Sequence, residues 1–180
     1  MSNRAIIVID LQNEYWPGGN LPLEGIDAAA ANAARVIAHG RENGDLIVNI
    51  RHEMPGAPVF VPGSVGVEIN KSVAPAQGEP VITKNFPNSF RETSLKDLLD
   101  EKGIGEVIVV GAMSHMCVDA TVRAANDFGY TTTTIHDACA TRELEFNGAT
   151  VPAAHVQTAM MSALAFFYGE VISTDAFIAR

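Results

Sequence analysis

Cysteine, positive charge and long apolar runs are all scarce in this chain of 180 residues, and each scarcity excludes something. Twelve lysines and arginines stand against 21 acidic residues, for a net charge of −9. So acidic a chain repels phosphate backbones, which argues against nucleic acid as a partner. Every apolar run falls well short of the ~18–20 residues that cross a bilayer, so no membrane is expected. The opening Met1-Ser2-Asn3-Arg4-Ala5 leads into a strand-like segment without the regions of a signal peptide. Only two cysteines occur, Cys117 and Cys139, enough for one internal bridge at most. Together these point to free thiols in a reducing, cytoplasmic setting. Repeats, low-complexity tracts and phosphate-loop patterns are also missing, which leaves a single domain over residues 1–180.

What is present is a rhythm of strands and helices. Ala5-Ile6-Ile7-Val8-Ile9 runs apolar without alternation and stops on Asp10. Continuous apolarity marks a strand covered on both faces, as in a parallel sheet. Residues 45–50, 81–84 and 106–111 read the same way; 131–136 and 170–174 complete six. Helices are expected over 27–43, 93–102, 115–128 and about 150–168. The first begins on a capping-type residue, Asp27, and stops before Gly44; the last carries Val156, Met160, Leu164 and Phe167 at helical spacing. This alternation predicts right-handed βαβ units and a three-layer α/β sandwich around a mostly parallel sheet of about six strands.

Two connections are too long for such a frame. Residues 12–25 include Tyr15 and Trp16, and residues 51–79 hold four prolines and four glycines. A loop near thirty residues usually builds a pocket or lid, although an oligomer contact would also account for it. Both loops leave carboxyl ends of strands, where open α/β sheets bind ligands. Tyr15 and Trp16 are therefore candidate pocket walls.

Three residues could carry chemistry there. Cys117 follows the 106–111 strand by a short turn, near the start of a helix, where the dipole and unpaired N–H groups favour thiolate. A helix end supplies roughly 0.3–2 kcal/mol, less than the ~2.7 kcal/mol needed to lower a thiol pKa by ~2 units, so a charged neighbour is required. Asp10 and Lys84 both terminate strands and should face the same crevice. The carboxylate could accept the thiol proton while the ammonium steadies the thiolate. Spacing alone equally allows a strand-end ion pair beside a small buried cysteine.

The segments Ile9-Asp10-Leu11-Gln12-Asn13, Thr83-Lys84-Asn85 and Gly111-Ala112-Met113-Ser114-His115-Met116-Cys117-Val118-Asp119-Ala120-Thr121 resemble the isochorismatase-like cysteine hydrolases. That superfamily also contains nicotinamidases and N-carbamoylsarcosine amidohydrolases. Gly129-Tyr130 and Asp137-Ala138-Cys139-Ala140 resemble its later segments, so the likeness spans nearly the whole chain. The resemblance implies a Rossmann-like sandwich with an Asp10–Lys84–Cys117 triad. It also implies a cis peptide at Ala112–Met113 and an oxyanion hole formed by the Met113 and Cys117 N–H groups. Gln12, Tyr15, Trp16 and Ser114 are expected at the substrate, a small molecule, and a homo-oligomer is implied.

The expected reaction is attack by Cys117 on an amide, carbamoyl or related carbonyl, with Asp10 moving the proton and a thioester as intermediate. Departures from the family narrow it. Where nicotinamidases carry an Asp-x-His metal pattern, this chain reads Asn49-Ile50-Arg51-His52-Glu53-Met54. No metal site and no cofactor are therefore expected, and His52 reads as a pocket or surface residue. Members that cleave the vinyl ether of isochorismate generally lack the cysteine, so Cys117 speaks for C–N chemistry. A binding protein and a redox-sensing thiol remain alternatives on the same fold.

Overall fold

The computed structural model describes residues 2–180. Six strands form one sheet: β1 (Arg4–Ile9), β2 (Leu46–His52), β3 (Val81–Lys84), β4 (Glu106–Ala112), β5 (Thr131–Ala140) and, after a short hairpin numbered below, β8 (Glu170–Ile172). Their order is β3-β2-β1-β4-β5-β8, and every pairing is parallel. The sandwich expected from the alternation is therefore the fold. Helix α1 (Ile26–Asn43) covers one face, and the first core lies between it and Ile6, Val8, Ile47, Ile108 and Val110. Helices α2 (Leu95–Glu101), α3 (Asp119–Asp127) and α4 (Ala153–Phe167) bring Leu99, Val122 and Leu164 to the other core, against Ile7, Ile9, Val48 and Val109. The short α5 (Thr174–Ile178) adds Phe177 to the first.

Several boundaries differ from the sequence reading. Gly25, at φ 70°, precedes α1, and no side chain caps that helix; Asp27 instead accepts the Trp16 indole N–H at 2.7 Å. The third helix begins only at Asp119, because Ser114–Val118 forms a π turn before it. Thr150 and Val151, expected to open the last helix, instead belong to a hairpin, β6 (Leu144–Phe146) with β7 (Ala149–Val151), whose two-residue turn is Asn147–Gly148, both with positive φ. Positive φ is turn chemistry, and it outweighs the helical spacing further on. Within α4 the buried positions are Ala153, Val156, Met161 and Leu164, so Met161 takes the place expected for Met160 and Phe167 faces out. His136 and His155 are exposed.

The long loop after β2 is not slack. It makes 3₁₀ turns at Val65–Val67 and Lys71–Val73 and sends Phe60, Val67 and Val73 into the first core. It also locks onto the loop after β1: Asn70 N–H donates to Leu11 O at 2.8 Å, Asn13 N–H to Glu68 O at 3.0 Å, and Phe60 N–H to the buried Glu14 carboxylate at 3.1 Å. Among the described residues, no helix is long and apolar enough to cross a membrane.

Candidate active site

Strand order places the site. The chain reverses direction across the sheet between β1 and β4, and open α/β sheets bind ligands beyond the carboxyl ends at such a switch point. Asp10 leaves β1 and Cys117 follows β4, its neighbour. Lys84 ends β3, two strands away. As an edge strand β3 alternates, with Val81 and Thr83 exposed and Ile82 and Lys84 buried, so Lys84 falls on the face of the second core.

Asp10 needs a different device. Along β1, Ile7 and Ile9 face the second core and Ile6 and Val8 the first. Alternation would send Asp10 with Ile6 and Val8, away from Lys84. Its backbone instead takes φ 51°, a left-handed conformation that costs a non-glycine residue ~1–3 kcal/mol. That turn breaks the alternation at the sheet edge. Gly111 lies alongside at φ 125°, where a Cβ would collide with the carbonyl of Ile9. It relieves crowding and lets β4 pass close to β1.

The three side chains meet. Lys84 Nζ is 2.8 Å from Asp10 Oδ2 and 3.3 Å from Cys117 Sγ, and it also donates to Phe86 O at 3.1 Å. Asp10, Lys84 and Cys117 are 0%, 1% and 4% exposed. The ion pair is close but oblique, and neither Asp10 oxygen has a hydrogen-bond partner among the described residues. A buried carboxylate with free lone pairs beside a thiol has the geometry to accept a proton.

Burial opposes the helix-end and ammonium effects that favour thiolate at Cys117. Burial, reinforced by the Asp10 charge, pushes its thiol well above the ordinary range, and Lys84 only partly opposes this. Sγ is enclosed rather than presented at a solvated helix end, so the dipole contribution loses to desolvation. Burial thus favours the neutral thiol over the thiolate. Burial also raises Cys139, to about 12, but Lys84 makes no contact with it; it packs in the second core as a small hydrophobe.

The backbone around Cys117 is irregular. Ala112–Met113 is a cis peptide, as the resemblance implied. The Met113 carbonyl accepts from Met116 N–H at 3.0 Å and Val118 N–H at 3.2 Å, on either side of Cys117. Single π turns of this kind concentrate at functional sites.

Of the residues expected at the substrate, Tyr15 is the one beside the triad. Its buried hydroxyl is raised well above its ordinary range, first by desolvation and then by the Asp10 charge. The others are held by protein groups. Gln12 clamps both the N–H and the C=O of His52, at 2.8 and 2.9 Å, and donates to Val67 O at 2.8 Å. Ser114 bonds Gln157 at 2.6 Å and Ala140 O at 3.2 Å, toward α4, and Trp16 points at α1.

His52 is what the sequence reading undervalued. It is buried, its Nδ1 lies 2.9 Å from Lys84 Nζ, and Phe60 meets its ring edge-on at 5.2 Å. Its place at the end of β2, between the ends of β1 and β3, was the available signal. Asp10, His52 and Cys117 offer an oxygen, a nitrogen and a sulfur within 4.8 Å of one another, a spacing a metal could use. Lys84 Nζ, however, is within 3.3 Å of all three donor groups, so the cation's place is taken by an ammonium.

Comparison with known proteins identifies the family. The sequence profile of the Isochorismatase domain matches residues 4–175. An isochorismatase-family protein of Bacillus subtilis is 45% identical over 176 residues, covering 97% of this chain and 98% of its own. The maleamate amidohydrolase of Pseudomonas putida is 32% identical over 149 residues, 74% of this chain and 70% of the other. Among solved structures, an isochorismatase-type hydrolase from Oleispira antarctica superposes with a TM-score of 0.96 at 49% identity, covering 100% of this chain and 98% of that one.

Proposed function

The chain belongs to the isochorismatase family of hydrolases, and we propose that it is a cysteine-dependent hydrolase of a small-molecule amide, carbamoyl or related C–N bond. The observation that carries this reading is the contact of Lys84 with both Asp10 and Cys117 in a site closed to water. In the proposed reaction, Asp10 accepts the Cys117 proton as Sγ attacks the carbonyl carbon. Lys84 stays charged, since the carboxylate and sulfur beside it raise its pKa despite burial. The Met113 and Cys117 N–H groups receive the oxyanion, each such donor typically contributing ~2.7–4 kcal/mol. Asp10 returns the proton to the leaving nitrogen, the C–N bond breaks, and a thioester remains. Water, deprotonated by the same carboxylate, releases the acid and restores the thiol.

The relation to an amidohydrolase supports a C–N bond over the vinyl ether, as does the presence of Cys117. A panel of amides and carbamoyl compounds, maleamate included, tests this by release of ammonia or amine, with Cys117→Ala as the blank. Ammonia release that survives in Cys117→Ala would refute the thioester route. With Lys84 as the cation, prolonged chelation should leave turnover unchanged; activity lost and then restored by zinc would overturn that part.

A further inference from the structure

His52 adds a fourth group to the site. Lys84 Nζ has four polar neighbours: Asp10 Oδ2 at 2.8 Å, His52 Nδ1 at 2.9 Å, Phe86 O at 3.1 Å and Cys117 Sγ at 3.3 Å. An ammonium gives only N–H donors, so the imidazole nitrogen facing it must accept. That fixes the tautomer, with the proton on Nε2 and a lone pair on Nδ1. We infer that His52 is a positioning residue, its neutral Nδ1 holding the Lys84 ammonium between Asp10 and Cys117.

The imidazole is well placed for the task because it is itself held. Gln12 grips the backbone of His52 on both sides and ties it to Val67 in the long loop. Phe60, whose backbone has a positive φ of 51°, fixes the ring with a perpendicular contact and reaches Tyr15 in the same way at 5.2 Å. The charged or titratable groups facing the ring are Lys84 from β3, Asp10 from the end of β1 and Cys117 from the π turn. Desolvation, with Lys84 second, lowers the ring's pKa and keeps it neutral near pH 7; Asp10 pulls more weakly the other way. Without this acceptor, a lysine side chain with several free torsions loses one of its fixed partners. Lys84 would then spend less time on the sulfur, and the Cys117 thiol would rise further.

The inference rests on Cys117 and Lys84 working as a pair, but its test needs no substrate. Alkylation of Cys117 by iodoacetamide, followed by peptide mass from pH 6 to 10, reads thiolate availability directly. His52→Asn keeps an acceptor where Nδ1 stood, His52→Gln moves it to the Nε2 side, and His52→Leu removes it. The expected result is at least a fivefold slower reaction at pH 8 for Leu and Gln, with the profile displaced to higher pH. The Asn variant should stay within twofold of the parent. Coincident profiles for parent, Leu and Gln would overturn the inference, and so would Asn behaving like Gln. Should His52→Leu fail to fold, the Asn–Gln contrast decides alone. An absence of amide turnover beside this alkylation pattern would defeat the proposed reaction while leaving the role of His52 standing.

Discussion

Strand β1 carries an ion pair at each end, and the two are built to opposite specifications. At its start, Arg4 Nη2 and Nε meet one oxygen of Asp45 at 2.8 and 2.9 Å. The arginine side chain is 21% exposed, and its guanidinium also lies over the Phe177 ring. At its end, Lys84 meets Asp10 at the same 2.8 Å with neither side chain exposed. Arginine presents a planar fork that does not titrate; lysine is a compact charge that several neighbours can share. Equal distances therefore conceal unequal surroundings. The first pair ties β1 to the start of β2. The second accepts a large desolvation penalty and leaves its carboxylate without hydrogen bonds, an arrangement poor for stability and suited to proton transfer.

The comparison breaks first at the functional end. Asp10→Asn should lower turnover by at least the ~10²–10⁴-fold typical of a positioned base; near-normal turnover would make this pair as structural as the other. Next, Lys84→Met should raise the Cys117 thiol further, because it removes the one charge opposing the rise. Part of its lost turnover should return as pH increases. Residues acting as a unit are not additive, so Asp10→Asn combined with Lys84→Met should be little worse than Asp10→Asn alone. At the other end, Arg4→Met should leave turnover unchanged and cost about 1.5–3 kcal/mol in urea unfolding, the value of a charged hydrogen bond. A turnover defect there would erase the distinction.

The smallest effect is in pH. The folded His52 titrates below its unfolded value of ~6.5, so its contribution to stability is complete above that pH and fades as pH falls toward the folded pKa. Between pH 7 and 5, the parent should lose more thermal stability than His52→Asn. Equal losses would mean that the imidazole charges as freely as in the unfolded chain.

The sequence made the sheet legible because continuous apolar runs have one economical explanation, and Val81–Lys84 matches its expected bounds. Asp10, Lys84 and Cys117 were legible as residues at strand ends and at the start of a helical segment. Their state was not. Whether a thiol is depressed or raised depends on how completely the loops cover it, and that comes from long-range contacts such as Gln12 with Val67 and Glu14 with Phe60. The same contacts explain what the sequence hid of Gln12: a polar residue near a motif does not show its backbone partners, which are distant in sequence. His52 was hidden for the converse reason, since beyond its place at a strand end nothing local marks a histidine whose partner lies 32 positions away.

One feature of the loops bears on kinetics. A 540 Å³ cleft between them is lined by Asn13, Trp16, Asn20, Val61 and Ser64, yet Asp10, Lys84 and Cys117 do not face it. A carbonyl carbon cannot reach a sulfur atom on a side chain so nearly enclosed until some of this cover moves aside. Binding is then coupled to an opening equilibrium, and the apparent dissociation constant equals the intrinsic one divided by the open fraction. If the loops stand open one time in a hundred, roughly a hundredfold of affinity is withheld from every ligand. Substitutions far from the sulfur, at Asn70 or Glu14 for example, would then change KM for all substrates by a common factor and leave their ranking untouched.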